Sequence, residues 1–162
     1  MSSMLSIISA FISVTALYFT FKKDAHRLRV NHKYKHREWH DILSINNDSS
    51  FTVQISAIGC LTEDGSVHWI EAVGDYKANN LIDYSIPISG RSTFYALVMH
   101  RNLPGRAPAA GYCVQLNCGR TFVSVAGLGT KASVAFKVRS AISWLSSGKT
   151  GFPRNELHLR PE

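Results

Sequence analysis

Seven histidines and three cysteines are the side chains of this 162-residue chain best suited to chemistry, and their spacing decides which chemistry. His32, His36 and His40 recur at every fourth position, which places them on one side of a helix and equally on one face of a strand. Imidazoles so arranged could share Zn²⁺ or another borderline metal, or titrate together near neutral pH. These three are the candidate metal ligands. Lys33, Lys35 and Arg37 lie between them and repel a divalent cation, and only Glu38 and Asp41 stand near as carboxylates. A solvated basic stretch is the simpler reading, and no cofactor is expected.

Cys60, Cys113 and Cys118 are an odd number, which argues against a disulfide framework and agrees with a reducing compartment. A nucleophilic cysteine served by His68 or His100 would make a hydrolase, but no local motif supports it. The run Gly127-Leu-Gly-Thr-Lys-Ala-Ser133 joins a strand to a helix, the context of a phosphate loop. There, however, Lys must follow the second glycine directly, and here Thr130 intervenes. Arg91, Arg101, Arg106 and Arg120 are scattered among loops, with no recognisable nucleic-acid module, so nucleic acid is not an expected partner. No catalytic residue is assigned, and the chain is read as non-enzymatic.

The elements that must position these residues begin with an uncharged stretch. Residues 4–21 hold thirteen apolar side chains among eighteen and would span roughly 27 Å as a helix, near the thickness of a thin bilayer. The net charge of +7 is concentrated just behind it. Between Lys22 and His40 there are seven Lys/Arg and two acids, whereas the 122 residues that follow carry eleven Lys/Arg and nine acids. A transmembrane helix over 1–21 is therefore expected. Lys22, Lys23, Arg27 and Arg29 would act as the topology signal of a basic juxtamembrane segment, 22–40. That orientation puts the N-terminus outside and the following domain in the cytoplasm, at a bacterial inner membrane. Ser6, Ser9, Ala10 and Ser13 provide small residues four apart, the spacing for helix association and self-association within a membrane.

Beyond residue 40 short apolar runs alternate with turn formers, as antiparallel strands do. Candidate strands are 41–45, 51–60 with a bulge near Ala57 or Gly59, 67–70, 81–88 with Pro87 at an edge, and 93–99. Asp64-Gly65 suits a two-residue turn. A hairpin from Tyr112 to Val125 with Cys118-Gly119 at its tip would set Leu116 against Thr121 and Val114 against Val123. From Thr130 to Ser147 the pattern becomes helical. Val134, Val138, Ala141, Ile142 and Leu145 form the apolar stripe expected to face the sheets, with Phe136 and Trp144 outside it. The expected fold is thus mainly β: a transmembrane helix, then a small antiparallel, immunoglobulin-like β-sandwich with one amphipathic helix over 41–148, and a tail over 149–162.

This layout resembles a loosely defined class of small bacterial and prophage-encoded single-pass membrane proteins with a β-sandwich domain. The resemblance rests on Leu43–Gly59, Asp64-Gly65, Ile86-Pro87 and Cys118–Phe122, and it covers most of residues 4–125. Members of the class mostly lack an assigned activity, so it implies an architecture and no catalytic residue. The expectation is a membrane-anchored, non-enzymatic interaction module with the lipid bilayer and an unidentified protein as partners, acting, if phage-derived, on a host membrane or defence component. The alternatives are a tethered Cys/His hydrolase and a binder of nucleic acid or anionic lipid through the basic segment.

Overall fold

The computed structural model describes residues 2–23, 26–34, 40–100, 103 and 109–152; in the first helix it describes the side chains of 6–16, and those of 33 and 34 lie outside the description. Among the described residues the chain forms helix α1 (Ser2–Lys23), ten strands and helix α2 (Thr130–Leu145). The strands are β1 (Leu28–Tyr34), β2 (His40–Asn47), β3 (Val53–Leu61), β4 (Val67–Ile70), β5 (Val73–Asp75), β6 (Asn80–Ile82), β7 (Ile86–Ile88), β8 (Ser92–Met99), β9 (Gly111–Leu116) and β10 (Thr121–Ser124). They make two antiparallel sheets, ordered β1-β2-β8-β5-β6 and β10-β9-β3-β4, with β7 also paired to β3.

The mainly β expectation holds, and the pattern of burial explains the layering. In β2, Asp41, Leu43, Ile45 and Asn47 point inward, and Leu43 and Ile45 share one core with Ile55, Ile58, Val114 and Leu116 of the other sheet. Each fully buried branched side chain contributes about 1.5–3 kcal/mol. Strand β9 is buried at every position because it is covered on both faces. Tyr112, Val114 and Leu116 belong to the sandwich core, whereas Cys113 lies in a second core with Leu61, Ala132, Phe136 and Phe152 beneath α2. Gly59 is required there, since a Cβ would stand 2.8 Å from Val67 Cγ1 and 2.9 Å from Cys113 Sγ.

Several local expectations shift. The bulge is present in β3, where the register with β9 slips between Ile55 and Ala57. The β9–β10 register differs by one residue from the expected pairing, with Thr121 opposite Gln115 and Phe122 opposite Val114. The cause is the turn: Gly119, at φ 82°, donates to the Leu116 carbonyl, and Leu116 N–H donates to that of Arg120, an odd-length loop closed by a glycine bulge. Gly65, at φ 88°, closes the β3–β4 loop in the same way between Thr62 and Ser66.

Two larger differences concern the ends. Residues 28–34, expected in a juxtamembrane segment, are instead an edge strand: Leu28 and Val30 enter the core while Arg29 and Asn31 face out. Among the described residues no helix is long and apolar enough to cross a membrane, so the single-pass membrane placement, with its outside N-terminus and cytoplasmic domain, is corrected. Residues 6–16 of α1 are exposed at every position. Four of those eleven carry hydroxyls; Ser13 and Thr15 donate theirs to the carbonyls of Ser9 and Phe11.

Helix α2 is turned the other way from expectation. It buries Ala132, Phe136 and Ser143 and exposes Val134, Val138, Ile142 and Leu145. Hydrogen bonding explains the choice. Thr121 N–H donates to Ser143 Oγ (3.1 Å), and Ser140 Oγ donates to the Thr121 carbonyl (2.6 Å), so the serine face is fixed to the edge of β10. Arg139 lies over the Phe136 and Phe152 rings and donates to the carbonyls of Gly151 and Gly65, adding the chain end and the β3–β4 turn to the same layer.

Candidate functional site

Among the described residues a cluster of buried titratable side chains forms where β1, β2, the end of β8 and β9 meet. Inward parity on β2 takes Asp41 into the core, and inward parity on β1 and β9 brings His32 and Tyr112 to it. His100 follows β8. Its Nε2 donates to Asp41 Oδ1 at 3.1 Å, His32 Nε2 stands 3.4 Å from Oδ2, and the Tyr112 hydroxyl donates to Oδ2. The His32 ring meets that of Tyr112 edge-on, with centroids 4.9 Å apart.

Asp41 is wholly buried. Burial raises its pKa, but hydrogen bonding from His32, Tyr112 and His100 outweighs that and brings it down to about 2. The carboxylate is therefore ionised, with donors from Tyr112 and His100 and the adjacent His32 imidazole repaying its lost hydration. Burial, and then the bond to Asp41, pushes the Tyr112 hydroxyl far above its usual range, so it stays a neutral donor.

A carboxylate that orients imidazoles is also how general bases are built. The thiols do not complete such a site. Burial, and then the charge of Asp41, pushes Cys60 up to about 11, and burial likewise raises Cys113. Cys60 pairs with His68 across β3 and β4, but the thiol is buried and the imidazole exposed. Cys118 lies exposed in the β9–β10 turn, and all three thiols are free. Because Asp41 and Tyr112 come from opposite sheets, the cluster acts as a polar clasp between them.

The histidine trio does not converge. His32 points into the core from β1, His40 lies at the opposite parity on β2, and His36 lies outside the described residues. Among the described residues no three His, Cys, Asp or Glu side chains are grouped to hold a metal ion. At the start of α2, Gly129 N–H donates to Glu63 Oε1 (2.8 Å), so a carboxylate already occupies the place a phosphate would take.

The proposed topology residues have other roles where described. Arg27 N–H donates to Ser49 Oγ, and Arg29 pairs with Asp48 through Nε at 2.6 Å. The side chains of Lys22 and Lys23 lie outside the description. Ser6, Ser9, Ala10 and Ser13 are all exposed on α1. His26 accepts from Arg120 Nη1 (2.9 Å); partial burial, and then the arginine charge, lowers its pKa and keeps the imidazole neutral.

Sequence reasoning named the residues of a second surface but placed them on the wrong side. Val134, Val138, Ile142 and Leu145 are 55%, 52%, 45% and 76% exposed and run along the outside of α2. Beside them a groove of about 290 Å³ opens between β1, β10 and α2, lined by Leu28, Val30, Phe122 and Val123 together with Arg29 and Lys137. Comparison of the chain with protein-family models, curated proteins and solved structures finds no match.

Proposed function

We propose that this chain is a non-enzymatic protein-interaction module whose contact surface is the outward face of α2. One observation carries the proposal: the most regular apolar stripe in the globular part faces solvent, while the helix is fastened to the sheets by serines, an arginine and a single phenylalanine. Scattered exposed apolar residues need no explanation, whereas a continuous stripe over three turns is the mark of an interface. An immunoglobulin-like arrangement of the sandwich, a scaffold that commonly presents contact surfaces, belongs to the same proposal. The buried clasp around Asp41 supports the reading indirectly, as a rigid frame.

Site-specific photo-crosslinking in cells expressing the full chain tests it. A photoreactive residue at Val138 or Leu145 is expected to give a discrete heavier species, and one at Lys77, exposed in the β5–β6 turn, is not. No adduct from α2, or the same adduct from all three positions, would overturn the proposal.

A further inference from the structure

We infer that the partner offers α2 an amphipathic helix with acidic flanks. The inference rests on the interaction reading above and specifies the partner's chemistry. Val134, Val138, Ala141 and Leu145 are spaced i, i+4, i+7 and i+11, a seam about 16 Å long that matches the ridge of another helix. Charge selects which helix. Between Thr130 and Leu145 there is no acidic side chain. With successive residues about 100° apart, Lys137 flanks the seam on the side of the groove and Lys131 borders its other side near the N-terminus.

The chain's own helices do not complement that surface. A second copy of α2 would bring the same lysines to face one another, and α1 contains no acid and ends in Lys22-Lys23. A glutamate-flanked helix pairs with both lysines and leaves its apolar ridge for the valines and Leu145. The groove beside Lys137, walled by Leu28, Val30, Phe122 and Val123 with Asn31 and Ser140 among them, adds room for one anchoring side chain whose carboxylate end meets Lys137, since Arg29 is already paired with Asp48.

The test uses the full chain and three synthetic helical peptides of about 20 residues with one leucine ridge and flanks of Glu, Gln or Lys, followed by fluorescence anisotropy. The Glu-flanked peptide should bind about ten-fold more tightly than the Lys-flanked one, and Lys131→Glu with Lys137→Glu should reverse the order. Val138→Asp should weaken all three. Equal binding by the three peptides, or an order unchanged by the charge reversal, overturns the inference; if Val138→Asp still abolishes that binding, the α2 surface stands and only the acidic partner falls. Binding that survives Val138→Asp removes both. Failure of every peptide to bind, or a dimer in sedimentation that Val138→Asp dissolves, also overturns the acidic-helix inference, the latter in favour of a second copy.

Discussion

Replacing Asp41 by Asn keeps the shape of the buried clasp and removes its charge. A carboxyl that titrates at 3.8 in the unfolded chain and at about 2 in the folded one contributes about 2–3 kcal/mol at neutral pH. The amide also presents an N–H where His100 and Tyr112 need an acceptor, leaving one of them without its bond at a cost of about 1–3 kcal/mol that partly overlaps the first. The expected loss at pH 7 is therefore about 3–5 kcal/mol. Because the folded value lies below the unfolded one, the ionic part is complete above about pH 5 and is lost as the pH falls through about 2. By about pH 3 the gap between the two proteins should have narrowed by about 1 kcal/mol. Chemical denaturation followed by tryptophan fluorescence at several pH values from 7 to about 3 measures this gap directly. A gap that stays constant across that range would show that Asp41 is not the ionised acceptor described.

The second core and the thiols give two further expectations. Phe136→Ala removes a fully buried ring that stacks on Phe152 at 6.4 Å, and should cost about 3–5 kcal/mol. Amide exchange should speed up first in residues 130–145 while β2 and β8 stay protected; simultaneous loss everywhere would mean that α2 is integral to the sandwich rather than a layer upon it. Under native conditions a thiol reagent should modify Cys118 alone, with Cys60 and Cys113 reacting only after denaturation. Fast native reaction of two or more thiols would contradict the burial of the other pair.

Most strands were legible because alternation and turn residues are local signals. Pro87 does sit on a strand, β7, paired among the described residues with β3 on one edge, and Asp64-Gly65 does close a hairpin. The register of β9 on β10 was not legible to within one residue, since loop parity depends on whether Gly119 adopts positive φ. Strand β1 was hidden by Arg29 and Lys33, which made Leu28 and Val30 look incidental. The clasp was beyond sequence because His100 and Tyr112 are 59 and 71 positions from Asp41. Nothing at short range signals that they share a carboxylate. The orientation of α2 defeated a hydrophobicity argument for a plain reason: two serines that hydrogen-bond a strand edge outweigh an apolar stripe that finds no surface in the domain.

Those serines also decide how the domain behaves among copies of itself. An edge strand offers an amide and a carbonyl to any passing chain, and here Ser143 accepts from one while Ser140 donates to the other, so two hydroxyls impersonate a neighbouring strand at Thr121. The safeguard against edge-to-edge association is thus held in side chains that a core-packing inventory would overlook. Anything that lifts α2 from its seat would uncover the second core and a sticky strand edge together.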